Sequence, residues 1–445
     1  MKRFFETIAN IFKIEELRSR ILMTLGLLLV YRAGSYVVLP GVDPIQLEAA
    51  SSGATGIAAL LNIFAGGAFS RASIFALGIM PYISASIIMQ LLGIAVPSVQ
   101  KLQKEGESGR KKINQWTRFL TIAITLGQAP GYLAMQVPAE AINSPGFMSF
   151  TVPSVIILTA GTLFVMWLGE RITDKGIGNG ISLLIMIGIV AGLPSAFLFE
   201  FESQMGDAGG GLVVMLIELV VLLVIILVTV LLVQGVRRIP VQFAKKVVSG
   251  QPQAMGARQY IPLKVNAAGV MPIIFAQALM MIPVTLVNFS DNQELTGFAA
   301  MFNDIGGFWY NFIFAMMIII FTYFYTAITI NPQQMADDLK KNGGFIPGVK
   351  PGLDTANFVD NVLSRITLPG ALFLALIAIL PAFALKAGVS QGFSYFFGGT
   401  SLLIMVGVVL DTLQQIESYL LMRHYDGLMK SGKLKGRSEA FGMAG

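Results

Sequence analysis

Ten stretches of this chain are long and apolar enough to cross a lipid bilayer, and nearly all of its positive charge falls in alternate gaps between them. A helix needs about 20 mostly apolar residues to traverse the hydrocarbon. Such stretches lie at roughly 21–38, 72–92, 118–137, 153–169, 181–199, 212–234, 267–288, 309–330, 366–385 and 400–422. Five Lys or Arg precede the first stretch, six lie in 93–118, two in 170–180, six in 235–266, four in 331–365 and five in the tail. If the spans alternate, those 28 of the 31 basic residues share one side, while the gaps 138–152, 200–211 and 289–308 contain none. The exceptions are Arg32, Arg71 and Lys386. Lys and Arg gather on the cytoplasmic side of membrane proteins, so both termini are expected there.

Composition agrees with lipid as the main solvent. Of 445 residues, 55% are hydrophobic and only 13% are charged, too few to clothe a soluble domain of this length. The charge asymmetry accounts for the net charge of +6 without a nucleic-acid partner. The absence of cysteine excludes disulfides and Cys-based metal or redox sites. The single histidine, His424, lies near the C-terminal end, where a solvated role is expected. Residues 1–20 carry Lys2, Arg3, Glu6, Lys13, Glu15, Glu16, Arg18 and Arg20 and no apolar core, so no cleavable signal peptide is expected.

The expected fold is an all-α polytopic membrane protein of ten transmembrane helices. It divides near 200–211 into halves 1–205 and 206–445 of five spans each. Because five is odd, the second half is inverted relative to the first, an arrangement frequent in transporters. Segment 60–71 is apolar but too short to cross; it is either a surface loop packed on the bundle or a re-entrant element held within protein. The gaps 235–266 and 331–365 are long, basic and rich in Gly and Pro, and long loops in compact folds tend to be functional or disordered.

Three ionisable residues fall within spans: Arg32, Glu218 and Asp411. Such residues pair structurally or relay ions; structural pairing is the expectation here, with Arg32 and Glu218 able to meet near the external side. No His-Glu-x-x-His, Gly-x-Ser-x-Gly or phosphate-binding loop is present, so neither an enzyme nor a cofactor is expected. Ile79 and Ile83 share one helical face, as do Ile181 and Ile185. A ring of such side chains could form a dewetting constriction, whereas ordinary packing would use the same spacing. A small-solute secondary transporter would need polar groups at the membrane midplane, where only Asp411 stands. An intramembrane hydrolase would need paired catalytic groups, which are lacking.

Several ordered motifs carry a resemblance that covers nearly the whole chain. The longest runs from Asn62 to Leu91 and includes Asn-Ile-Phe-Ala-Gly-Gly-Ala-Phe-Ser-Arg-Ala-Ser-Ile-Phe-Ala-Leu-Gly-Ile-Met-Pro-Tyr-Ile-Ser. Others are Lys104-Glu-Gly-Glu-Ser-Gly-Arg110, the run Trp167 to Gly180, Pro262-Leu-Lys-Val-Asn266, Asn331-Pro332, Ala336 to Lys341, Phe397 to Ile404 and Leu434-Lys-Gly436. Together they resemble the SecY family, the channel-forming subunits of the general protein-export translocon.

That resemblance implies a protein-conducting channel. It would pass unfolded preproteins across the cytoplasmic (inner) membrane and release membrane helices sideways into the lipid bilayer. Its two halves would be hinged by the loop between spans 5 and 6, with a lateral gate between spans 2 and 3 and spans 7 and 8. Segment 60–71 would be a short re-entrant plug helix, with Asn62, Ile63, Phe64, Ala65, Gly66, Gly67, Ala68, Phe69 and Ser70 as plug residues. The pore ring would be Ile79, Ile83, Ile181, Ile185, Ile274 and Ile404. Arg237, Arg238 and Lys350 would dock the ribosome or the SecA motor ATPase, and SecE-like and SecG-like small membrane subunits would complete the complex. Many family members carry Arg where this chain has Lys350, in the tip Gly348-Val349-Lys350-Pro351-Gly352. Lys keeps the charge and loses the bidentate fork.

Overall fold

The computed structural model describes residues 14–51, 62–143, 146–206, 210–243, 259–288 and 306–430. These residues form two compact units: those within 1–53, 64–188 and 408–445 make the first, and those within 54–63 and 189–407 the second. The boundary expected between residues 205 and 206 thus stands beside a contact boundary within a helix, at 188/189, and the end of the last helix belongs with the first unit.

The first unit contains α1 (Glu15–Gly34), α2 (Pro44–Ser51), α3 (Met80–Ala95), α4 (Pro97–Lys104), α5 (Glu107–Gln136) and α6 (Val152–Lys175). It also takes the start of α7 (Gly180–Met205). On α5 the buried positions Gly109, Thr117, Thr121, Thr125, Ala129 and Leu133 recur at multiples of four, a stripe of mainly small side chains that lets neighbours approach. Each hydroxyl in the stripe donates to the carbonyl four residues back: Thr121 to Thr117 at 2.7 Å and Thr125 to Thr121 at 2.7 Å. Buried threonines are thereby satisfied without a cross-helix partner. Arg118 on α5 forms a forked pair with Glu170 on α6, Nε to Oε1 at 3.2 Å and Nη2 to Oε2 at 2.6 Å.

The turn between α6 and α7 is clasped within the same unit. Ile177 N–H donates to Thr24 Oγ1 on α1 at 3.0 Å, and Gly178 N–H to Gln415 Oε1 at 2.9 Å. Arg20 donates to the Gly176 carbonyl at 3.4 Å and lies over the Tyr419 ring. These contacts explain why the far end of the last helix, α14 (Gly399–Lys430), groups with α1.

The second unit holds the rest of α7, then α8 (Gly211–Gln234), β1 (Val236–Phe243), β2 (Gln259–Lys264), α9 (Met271–Asn288) and α10 (Phe308–Thr329). It continues through α11 (Pro332–Lys341), β3 (Gly344–Phe345), α12 (Leu353–Lys386), the short α13 (Gln391–Ser394) and the first part of α14. The helix α11 starts where its sequence says it should: Asn331 Oδ1 accepts from Gln333 and Gln334 N–H, and Pro332 fills the first turn.

The small sheet corrects the all-α expectation. Its order is β2-β1-β3, both pairings antiparallel, with Arg237 opposite Leu263 and Gln242 opposite Phe345. Alternate residues Ile239 and Val241 point inward onto Leu263, Ile346, Val359 and Leu363. A period of two over so few residues was masked by Pro240 and Pro262, which ordinarily argue against a strand interior.

By length and apolarity, six helices among the described residues can cross a membrane: 147–175, α7, α8, 308–341, α12 and 399–421. A seventh is possible if Met80–Gly93 and Pro97–Gln103, bent by 103°, count as one broken span. The clearest sign of lipid is α8, where the most apolar window is only 11% buried while Glu218 and Thr229 are the residues hidden inside. A helix that turns leucines out and its one carboxylate in is adapted to an apolar solvent.

Candidate functional site

The segment expected as a plug runs along the first unit from Phe64 onward. Asn62, Ile63 and Phe64 are helical, and 65–79 run as successive turns; residues 60 and 61 lie outside the described residues. The single short helix expected over 60–71 is therefore mostly irregular chain, and α3 begins at Met80 rather than near 72. The sequence accounts for this. Gly66, Gly67 and Gly78 all take positive φ, and Pro81 sits in the first turn of α3. Ala72 shares the left-handed region at φ 45° and is fully buried, a strained position that the surrounding contacts enforce.

Those contacts are specific. Arg32 Nη1 donates to the Gly66 carbonyl at 2.6 Å, and Tyr132 Oη donates to the Phe69 carbonyl at 2.6 Å. Leu39 N–H bonds the Ala72 carbonyl and Ile74 N–H the Val37 carbonyl, both at 2.9 Å, so the chain leaving α1 pairs with the chain leaving the turns. Phe64, Ala65 and Ala68 are buried. Gly188 on α7 lies so close that a β-carbon there would overlap the Phe64 carbonyl oxygen. Ser70 Oγ closes a local turn onto the Gly67 carbonyl at 3.3 Å.

Of the six isoleucines, Ile79, Ile83, Ile181 and Ile185 belong to the first unit, and Ile274 and Ile404 to the second. Ile79 precedes α3 and its carbonyl accepts from Ile83 N–H at 3.1 Å, so these two are one turn apart. Ile181 packs on Gly169 of α6, with Ile185 one turn further along α7. Ile79, Ile83, Ile185 and Ile404 are buried; Ile181 and Ile274 are partly so.

The basic residues expected to dock partners all stand exposed on the sheet region of the second unit. Arg237 and Arg238 occupy β1, and Lys350 occupies the tip between β3 and α12. Gly348 and Gly352 bend that tip with φ of 84° and 110°, and Thr355 Oγ1 holds the Lys350 carbonyl at 2.8 Å. Sequence reading treated the two loops as separate; β1 pairing with β3 makes them one structure.

Two of the three ionisable residues of the spans find partners unlike those expected. Arg32, offered Glu218 as a mate, instead holds Gly66 and donates to Tyr36 Oη at 3.0 Å. Glu218 accepts from Gln204 Nε2 at 3.1 Å, and the same nitrogen donates to Glu200 Oε1 at 2.8 Å. Glu200 Oε2 takes the Ser390 N–H at 2.8 Å, tying α7 to the turn before α13. Glu200 was missed because it lies at the end of its apolar run, where a carboxylate ordinarily meets water. Asp411 is exposed on α14. Among the described residues no group of three or more His, Cys, Asp or Glu is placed to hold a metal ion.

Comparison with known proteins places this architecture. The SecY family model matches residues 73–413. Protein translocase subunit SecY of Aquifex aeolicus (strain VF5) is 44% identical over 434 residues, covering 96% of this chain and 99% of that protein. The chain belongs to the SecY family. The Streptomyces scabiei subunit of the same description is 44% identical over 439 residues, covering 95% and 99%. Among solved structures, a protein-conducting channel aligns with this SecY-family chain at a TM-score of 0.62 and 17% identity, over 90% of this chain and 92% of that one. A SecY structure concerned with the plug domain and the closed state gives 0.56 at 17% identity, with the same coverage of 90% and 92%. Sec61 in the canine ribosome–channel complex from the endoplasmic reticulum gives 0.57 at 17% identity, again over 90% and 92%. The likeness to these three is one of fold.

Proposed function

We propose that the chain is the protein-conducting channel of a Sec-type translocon, passing unfolded preproteins across the cytoplasmic membrane and membrane helices sideways into lipid. The observation that carries this reading is the end-to-end match to translocase subunits at 44% identity. The site residues support it. A translocating chain presents every side-chain type and unpaired backbone amides, so a specific binding pocket could not serve it. A narrow apolar waist of isoleucines allows passage and resists wetting by ions. The segment from Asn62 to Ser70 is the plug of this reading, held by hydrogen bonds to its carbonyls and by backbone packing, contacts that can be released and re-formed. The full set of ten spans, with both termini cytoplasmic, follows from the charge pattern.

No energy-converting motif is present in the chain, so direction must come from a partner. Arg237, Arg238 and Lys350 are the docking residues for the ribosome or the SecA motor, and SecE-like and SecG-like subunits complete the complex. A small-solute transporter is not favoured. The deciding experiment is reconstitution of the chain with its copurifying small membrane subunits into proteoliposomes. Preprotein should enter a protease-protected lumen only with motor and ATP. Vesicles that import no preprotein yet accumulate a small solute would reverse the assignment.

A further inference from the structure

Two guanidiniums stand on one tyrosine, and among the described residues no carboxylate pairs with either. The Tyr36 ring, just past the end of α1, has Arg32 over it at 4.9 Å and Arg71 over it at 4.3 Å from the centroid. Neither arginine takes part in an ion pair among the described residues. Arg32 spends donors on the Gly66 carbonyl and on Tyr36 Oη. Arg71 Nη1 is shut from water and has no hydrogen-bond partner among the described residues, which for a charged donor carries a full desolvation cost. Charged groups this close and uncompensated favour an anion between or beside them.

The surroundings identify the anion's source. Leu22, Leu25 and Leu29 stand exposed along one stripe of α1, and the same stripe continues to Arg32 and to the exposed rings and methyls of Tyr36 and Val37. An apolar stripe that ends in Tyr and Arg is the signature of a helix leaving the hydrocarbon at headgroup level. Arginine forks match phosphate oxygens bidentately, and such charge-assisted bonds are about twice as strong as neutral ones. We propose that Arg32, Tyr36 and Arg71 form a binding site for a phosphate group supplied by a phospholipid headgroup at this end of α1. Acyl chains would lie along Leu29 and Leu25, and the phosphate would approach beside the exposed Tyr36 ring, with Arg71 turning its enclosed Nη1 outward to meet it. This inference rests on the reading of α1 as a membrane span.

Because the chain has no cysteine, single reporter sites are available. A fluorophore on Val37→Cys or on Leu29→Cys can be placed in nanodiscs of a phosphate-free galactolipid doped with phosphatidylglycerol carrying a spin label near the top of its acyl chain. Quenching at position 37 should exceed that expected from the lipid's mole fraction. The excess should be lost in Arg71→Gln and Arg32→Gln, and retained in part by Arg71→Lys, which keeps the charge. Leu29→Cys, beside the proposed acyl chains, should show the same excess in the parent and fall to the mole-fraction level in both glutamine variants; no quenching there at all would mean that α1 is not in lipid, a failure of the membrane reading itself. Position 37 quenched only at mole fraction in the parent, or an excess that survives both glutamines, would overturn the site. Suppression of the excess by inorganic phosphate would reassign it to the free ion and overturn the lipid source.

Discussion

Gly188→Ala offers a one-carbon test of how the segment from Phe64 to Gly66 is seated. A β-carbon at 188 would lie 3.2 Å from the Phe64 carbonyl carbon and 3.3 Å from Gly66 N, and closer still to the Phe64 carbonyl oxygen. These are backbone atoms on both sides, so no rotamer change can relieve the overlap. The segment must retreat by about 1 Å to restore van der Waals contact. That retreat lengthens the 2.6 Å bond from Arg32 to the Gly66 carbonyl, to about 3.6 Å, beyond hydrogen-bond range. Overpacking costs ~1–3 kcal/mol, and the charged hydrogen bond contributes ~1.5–3 kcal/mol. A combined loss of ~3 kcal/mol shifts the ratio of seated to unseated segment about a hundredfold. Single-channel recording in planar bilayers should therefore show more frequent resting openings for Gly188→Ala. Deleting 62–69 should also raise leak, and Gly188→Ala should add nothing in that background, since both act on one contact. An alanine variant whose resting conductance equals the parent's, or one additive with the deletion, would refute the reasoning.

Single cysteines introduced at 291–304 should react with an impermeant maleimide in intact cells and those at 342–352 should not; the reverse pattern overturns the topology. Ile83→Gly and Ile274→Gly should each raise resting ion conductance, because a waist of smaller side chains wets more readily; unchanged conductance in both would leave only packing for these residues. Arg118→Gln should lower thermal stability by about 1 kcal/mol, a forked pair in the upper range for partly exposed ion pairs. Arg118→Gln and Glu170→Gln combined should cost scarcely more than either alone, and simple additivity would deny the coupling. Lys350→Glu should weaken motor or ribosome binding more at low salt than at high salt without disturbing insertion. Lys350→Arg should preserve or improve ATP-dependent export into inverted vesicles; parental binding by the glutamate variant would remove the tip from the docking surface.

What the sequence made legible was whatever lipid dictates. Long apolar runs and basic residues grouped in alternate gaps report the solvent directly, and each run expected to span contains a helix. The start of α3 was not legible because Ala72 to Ile79 are as apolar as a span; the turns there depend on positive φ at Ala72 and Gly78 and on contacts to residues 37–39. The sheet was hidden for a related reason. Its strands draw their inward residues against Val359 and Leu363, far along the chain, while prolines interrupt β1 and β2 locally. Arg32 was read as a mate for a distant carboxylate because pairing of opposite charges is the common outcome within membranes. A backbone carbonyl on a glycine turn serves the same need, and no local pattern announces it. The expectation of a plug at Asn62 to Ser70 came through motif likeness, since composition alone fits a packed surface loop equally well.

The small sheet constrains how any partner bound to the loops could act. Lys350 sits in a tip bounded on one side by β3, which pairs with β1, and on the other by the start of α12 at Leu353. Residues on both flanks, Ile346 and Val359, are buried in one apolar cluster with Ile239 and Val241 of β1. The tip therefore cannot shift alone without opening that cluster, at a cost of ~1 kcal/mol or more per buried side chain exposed. The stiffest element it can move is α12, which runs 34 residues without interruption from the tip to Lys386, about 50 Å of helix. Within α12 the sites able to absorb bending are Pro369 and Pro381, where backbone hydrogen bonds are already missing. Near the first of these, Gly370 lets the helix pass close to the Val265 carbonyl at the end of the β2 segment. A load applied at Lys350 is therefore expected to tilt α12 and the sheet together, with flexure at Pro369 and Pro381.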